Sequence, residues 1–498
     1  MKVWITLLAL FVIRAILAAP AAAHIGSPDV FLEGNAGPYR LFVTIRVPLV
    51  IPGTAGVEIR SESIDVRQIR IAPAQLTGLG SQLAPTPDVM QRSKTDAQFF
   101  SGSLWMMESG SLQVRIQADG ARGTGMLAVP VPSIAQRTLP MQKPLGILLF
   151  VLMLVLAMGL LSITVAAVRE GNLEPGAPTP AATLRDHVTT IVASLCVLAL
   201  LFMGRVWWNS EARRYANNIY TPPKIDAAIA SDGRLLLRQG RIAAGNPRHQ
   251  VEHDAFSNLI PDHGHLMHLF LIRTPKMNSF WHLHPERVGQ REFAEKLPAI
   301  PAGHYELFAD VVLENGFPVT MVGQMDLPAI PGQPLRGDDS GTVGDPISEI
   351  NARASIYILP DGGRIIWDRD ANPLQVNLPL TLKFRVEDAQ GNPATDLTPY
   401  MGMVAHAAIF KSDGSVFAHV HPAGSVSMAA FELARANLPV KSSSAPPNGM
   451  TVMNMPGDQV DSKFSFPYGF PTPGLYRIFV QVRRSGHIQT ASFETNVE

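Results

Sequence analysis

A motif that occurs twice in the C-terminal half limits what this chain can fold into more than any other feature of its sequence. The first copy reads Leu259-Ile-Pro261-Asp-His263-Gly264-His265-Leu-Met267-His268 and runs on into LFLI. The second reads Leu397-Thr-Pro399-Tyr-Met401-Gly402-Met403-Val-Ala405-His406 and runs on into AAIF. Each is followed by an HxHP segment, His282-Leu-His284-Pro285 and His419-Val-His421-Pro422, placed 14 and 13 residues after the upstream histidine. Both close on Gly-x-Tyr (Gly303 to Tyr305, Gly474 to Tyr476), a Gly turn (Gly316, Gly486) and a Thr (Thr320, Thr490). So many matched offsets predict two related antiparallel sandwiches, 220–328 and 348–498, the second with an insertion over about 425–465. Tyr305 and Tyr476 are predicted to be tyrosine corners.

The rest of the chain supplies an anchor and a third sandwich. Only 16% of the residues are charged, against a usual quarter, while the hydrophobic share is 46%. The missing charge concentrates in two stretches: 145–168 has none, and 188–208 ends at Arg205, Trp207 and Trp208, as a helix does at a headgroup layer. With the short polar link 169–187 these predict a two-helix transmembrane hairpin, with Cys196 inside its second span. Residues 24–143 alternate β-rich runs, among them Tyr39 to Val47, Gly56 to Ile59, Ser111 to Ile116 and Thr124 to Val131, with turn residues. The expected fold class is thus mainly β: three immunoglobulin-like antiparallel sandwiches plus the hairpin.

Lys2, the apolar run to Ala18 and Ala21-Ala22-Ala23 read as an export signal over 1–23. A hairpin returns the chain to its starting side, so all three sandwiches are expected in the periplasm of a bacterial inner-membrane protein. Lys plus Arg and Asp plus Glu balance at 41 each, which leaves no net field to attract nucleic acid. A single cysteine excludes a disulfide framework and any multi-cysteine zinc or iron–sulfur site. Any bound transition metal must then be held by His, Met, carboxylate or backbone groups.

Eight of the 14 histidines fall in the repeated motifs. In a strand, residues i and i+2 share a face, so the two histidines of each HxHP are neighbours about 7 Å apart. A hairpin would set His268 beside His282 and His284, and His406 beside His419 and His421, each trio a donor set suited to copper, or to zinc. His263 and His265 occupy the offsets of Met401 and Met403; imidazole and thioether share the ability to ligate copper, and thioether favours Cu(I). Met428 and the run Met450, Met453, Met455 extend this pattern into the insertion. His24, if cleavage makes it the first residue, would offer an imidazole and a free amine to one ion. His249 and His253 form a further pair with little helical support. Histidines before Pro at strand ends also serve structure alone, by bonding backbone carbonyls.

The start AAA-HIGSPDVF, with Gly110-Ser-Leu-Gln-Val-Arg and Val129-Pro-Val-Pro, resembles YtkA-like and CopC-type periplasmic domains. Those are immunoglobulin-like sandwiches, and the CopC type carries copper. CopC-type sites join an internal histidine and an aspartate to the terminal one, whereas here no histidine occurs between residues 25 and 186. The C-terminal copies are more similar to YtkA-like domains, through Tyr400-Met-Gly-Met-Val-Ala-His406, Phe417-Ala-His-Val-His-Pro422 and Pro473-Gly-Leu-Tyr-Arg477.

Together these features lead to the expectation of a membrane-anchored, non-catalytic copper binder or relay, serving resistance or delivery to a periplasmic copper protein or membrane oxidase. The alternative is a scaffold whose histidines serve only the fold. No nucleophile motif, phosphate loop or paired acid–base carboxylates point to an enzyme; a copper redox enzyme using His24 is the one form such a reading takes.

Overall fold

The computed structural model describes residues 24–25, 29–171, 173–174, 176–178, 181–240, 256, 258–345, 348–350, 354–369, 372–438 and 460–498. The export segment, His249, His253, Met450, Met453 and Met455 lie outside the described residues. Two compact units separate: one holds the described residues up to Ile134, from Thr221 to Gly240 and from Phe256 onwards, the other Ala135–Tyr220.

The second unit is helical. Lys143–Glu170 and Leu184–Ala216 pack against each other and are long and apolar enough to cross a membrane. Pro144 in the first turn starts one helix, and a Thr183–Asp186 capping box starts the other. The second helix runs past the expected end at residue 208 because Arg214 pairs with Glu211 one turn back, and Arg213 and Arg214 sit where the helix dipole favours cations. Cys196 is exposed on its surface.

Among the described residues the first unit is built from six sheets, antiparallel but for one short edge strand. Near the N-terminus a five-stranded sheet (from Asp29–Ala36 to Phe99–Met106) and a four-stranded one (from Val66–Gln75 to Gly123–Ser133) supply the expected sandwich. In the first copy a four-stranded sheet, Ile225–Ile229 to Glu292–Lys296, accompanies a six-stranded one containing His268–Thr274, Ser279–Leu283, Gly303–Leu313 and Pro318–Leu327. In the second, a five-stranded sheet accompanies a six-stranded one containing His406–Lys411, Val416–Val420, Gly474–Arg484 and His487–Val497. Tyr305 and Tyr476 are corners as expected: their hydroxyls donate to the carbonyls of Pro301 (2.8 Å) and Thr472 (2.7 Å).

The first copy extends beyond residue 328, because Ser340–Val343 pairs with Ser279–Leu283 and covers what would be a bare sheet edge. The matching edge of the second copy is covered by His24–Ile25, which runs parallel to Val416–Val420.

LFLI and AAIF are continuous apolar runs, not alternating ones, because the two six-stranded sheets are buried on both faces. Ala407 and Ile409 point into their own sandwich, whereas Ala408 and Phe410 join Phe270, Ile272, Phe280, Phe308, Phe417 and Phe479 in a layer shared by the two copies. Phe308 stacks on Phe417 at 4.2 Å, and Phe280 stacks on Phe479 at 4.2 Å. Phe280 and Phe417 are matched positions of the repeat, as are Phe308 and Phe479, so each contact is the mirror of the other. The copies meet as an isologous pair about a local two-fold axis.

The described part of the insertion forms the helix Met428–Ala436, whose Ala430 and Ala434 pack on Leu76 and Ala128 of the N-terminal sandwich. Beside it Gly424, at φ 136°, pairs with Leu32, and a Cβ there would collide with the Phe31 carbonyl. Gly424→Ala is expected to weaken this docking by about 1–3 kcal/mol, read as a lowered unfolding temperature in the purified protein.

Candidate metal centre

The shared layer ends in a cluster of imidazoles. The same period-two alternation that puts Phe270 and Phe417 in the layer continues to His268, His282 and His284 from the first copy and to His406, His419 and His421 from the second. Two further rings arrive from loop tips. His263 and Gly264 (φ 50° and 86°) and Met401 and Gly402 (φ 49° and 78°) form matched tight turns, closed by the bridges Asp262–His265 and Tyr400–Met403. A non-glycine residue in the left-handed region costs about 1 kcal/mol or more, and here it sits at the tip that carries a candidate ligand.

Two groups of ring nitrogens converge, each with all ligand atoms within 4.8 Å of one another: His268, His282 and His284, and His263, His406 and His421. The first group is the one the spacing predicts. The second departs from expectation. His263 crosses from the first copy to join His406 and His421, because its turn meets the Met401 turn and His263 Nδ1 donates to the Met401 carbonyl at 2.7 Å. His419 stands between the groups, its ring 5.4 Å from His268, 5.5 Å from His282, 5.6 Å from His406 and 4.5 Å from His421. His265 stacks on His284 at 4.0 Å, and its Nε2 bonds Asp338 at 3.1 Å.

Hydrogen bonds on the far side of the rings fix which nitrogen keeps its lone pair. His284 Nδ1 donates to Asp339 (3.0 Å), His421 Nδ1 to the Val426 carbonyl (3.2 Å), and His263 Nδ1 to Met401 as above, which leaves each Nε2 bare. Those three Nε2 atoms, with His419 Nε2 and both nitrogens of His406, are buried without a hydrogen-bond partner among the described residues. His268 Nε2 donates to the Asp262 carbonyl (3.0 Å) and His282 Nδ1 to Gln481 (3.0 Å). Their remaining nitrogens, His268 Nδ1 and His282 Nε2, face each other 3.0 Å apart. A cation placed against both is what such a geometry accommodates.

The rings are also kept neutral. Burial, reinforced by the neighbouring imidazoles, holds His268, His282, His284, His406 and His421 well below the ordinary histidine pKa, and burial lowers His263 as well. Burial pushes the Asp339 carboxyl up to about 6, while its hydrogen bond from His265 keeps Asp338 low.

Met401, Met403 and His24 make backbone contacts around the cluster or on its strands. Met401 enters through its carbonyl oxygen, and Met403 through the backbone bridge to Tyr400 that closes the turn. Met428 begins the helix that donates its second amide, Ala429 N, to Asp262 (2.8 Å). The backbone of His24 pairs with Val416, about 10 Å along the strand from His419; its side chain lies outside the described residues.

Sequence spacing gave no sign of the groups that hold the rings. Asp310 Oδ2 lies 3.6 Å from His419 Nδ1, and Gln481 holds His282; the two are matched positions of the repeat, each reaching the other copy's histidine. Asp338 and Asp339 come from the connection between copies, where Arg483 pairs with Asp338 and the Tyr400 hydroxyl donates to its carbonyl at 2.8 Å.

Residues 359–498 match the family model described as Domain of unknown function (DUF8832). No curated protein matches the chain. Similar solved structures include a tetra-tandem repeat from the extending region of a large adhesion protein (8% identity, 91% of this chain and 97% of that one, TM-score 0.16). Dimeric latent PorU from Porphyromonas gingivalis (10%, 95% and 34%, TM-score 0.14) and a Salmonella alpha-2-macroglobulin mutant (9%, 94% and 23%, TM-score 0.20) are others. The chain spans about a third of the first of these and a quarter of the second.

Proposed function

We propose that this protein binds a transition metal ion, copper foremost, between two β-sandwiches tethered to a membrane, as a carrier or relay and not as a catalyst. One observation carries the reading: two trios of histidines bring their ring nitrogens within 4.8 Å of one another in the interior, and several of these nitrogens are buried without a hydrogen-bond partner among the described residues. Leaving a buried polar atom unpaired costs about 1–3 kcal/mol, and a fold that leaves several together gains that back on ligation. Imidazole suits copper and zinc alike; the order of divalent affinities puts copper first. The proposed kinship with YtkA-like and CopC-type domains points the same way. Sandwiches on the periplasmic side of an inner membrane, delivering to a copper protein or oxidase there, fit the export signal and the two apolar helices.

The test is metal analysis of the full chain in detergent after copper loading and desalting. His406→Ala is expected to lower bound copper by one ion per chain, with circular dichroism unchanged and His304→Ala, at an exposed Asp326 pair, as a neutral control. Unchanged copper content in His406→Ala would leave the histidines a structural role only. Asp339→Asn, which weakens the far-side bond to His284, is expected to lower affinity about 10–100-fold in the same preparation.

A further inference from the structure

The two donor groups are not equivalent, and His419 is the reason. Its side chain is only 7% exposed, its Nδ1 faces the Asp310 carboxylate at 3.6 Å, and its Nε2 is buried without a partner among the described residues. Thr320 donates to the other Asp310 oxygen at 2.5 Å and so holds the carboxylate in place. A carboxylate behind a histidine whose far nitrogen is bare is the arrangement that orients metal-ligating rings. The ring shares a strand with His421 and lies closest to it, at 4.5 Å.

We infer that His419 completes a closed four-imidazole site with His263, His406 and His421, and that His268, His282 and His284 form a second, three-imidazole site with one position left for exchange. The inference rests on the metal-binding reading above and assigns unequal roles within it. The first site draws ligands from both copies and holds its ion tightly. Each group keeps one ring at its rim, His263 in the first and His284 in the second; the second is flanked in addition by His265, whose ring centroid lies 4.0 Å from that of His284 and whose side chain is 30% exposed. Its open position is where an incoming donor, an imidazole or thioether of a carrier or a small thiol, takes up or hands over the ion. Three-coordinate imidazole sites keep such a position, and four-coordinate ones close it. His419, 5.4–5.6 Å from His268, His282 and His406, lies on the path between the two.

Anaerobic titration of the full chain with Cu(I) against bicinchoninate as competitor tests this. Two ions are expected to bind in separate steps, the first at least tenfold tighter. His419→Ala is expected to weaken the tight step at least tenfold and leave the weaker one in place; His284→Ala is expected to abolish only the weaker one. Asp310→Asn keeps the His419 ring and should weaken the tight step about tenfold, which provides a readout if His419→Ala does not fold. Two equal steps, loss of the tight step in His284→Ala, or a tight step unchanged in the folded His419→Ala or Asp310→Asn would overturn the inference while leaving metal binding intact. A chain that binds no Cu(I) at all overturns both.

Discussion

Copper at a thousandfold excess over its dissociation constant is expected to stabilise the sandwich unit by about 4 kcal/mol, a rise of about 5 °C in unfolding temperature. The size follows from linkage, since an ion that binds only the folded arrangement adds its binding free energy to folding. The ligand set decides where that energy acts. His263 comes from the first copy and His406 and His421 from the second, so the ion closes the layer between the copies and does not merely stiffen one. His263→Ala should therefore remove most of the shift although His406, His419 and His421 are all retained. Differential scanning calorimetry with and without copper, on both proteins, measures this. A full shift in His263→Ala would place the ion within the second copy alone.

Mild acid is expected to destabilise the metal-free unit. His263, His268, His282, His284, His406 and His421 are depressed by burial, so the unfolded chain takes up protons near pH 6.5 that the folded one refuses. Stability is thus present above about pH 6.5 and falls as the pH drops below it, by about 1.4 kcal/mol per pH unit for each ring. Carboxyls raised by burial, Asp29, Glu33 and Glu306 among them, act in the opposite sense. Asp339, raised to about 6, and Glu295, raised to about 7, bind protons more readily when folded, and their contribution grows as the pH falls toward 5. Asp338, held low by its hydrogen bond from His265, adds to the effect of the rings, and the net result is expected to be a loss of stability below pH 6.5, followed by tryptophan fluorescence between pH 7.5 and 4.5. Copper should move the midpoint to lower pH, and His406→Gln should make the fall shallower. A flat profile to pH 5 would mean that the rings are charged in the folded state.

Much of the architecture was legible because its signals are local. The uncharged run from Leu145 to Val168 marks a helix, and Gly-x-Tyr at 303–305 and 474–476 marks each corner. The grouping of His268, His282 and His284 followed from strand periodicity and one hairpin. Two things escaped. The partnership of His263 with His406 and His421 depends on how two sandwiches face each other, and no spacing within one copy encodes that. The orienting groups Asp310, Gln481, Asp338 and Asp339 act across the same boundary. A hint lay in LFLI and AAIF, since four apolar residues in a row without alternation mean burial on both sides, and the second side needs a partner. The exchange of His263 and His265 for Met401 and Met403 was read as a change of ligand; the carbonyl of Met401 also holds His263, a backbone role that no side-chain comparison encodes.

The reciprocal stacking of Phe280 on Phe479 and Phe417 on Phe308 carries a consequence for assembly. A self-matching surface does not discriminate between the neighbour on its own chain and the same neighbour on another chain. Only the short tether makes the internal choice win, by holding its partner at an effective concentration in the millimolar range. Chains crowded in a membrane plane approach that regime, and a first copy of one molecule can then clasp the second copy of the next. The geometry that makes a single chain self-sufficient thus also permits linked pairs or short arrays, in which the aromatic layer closes between two molecules.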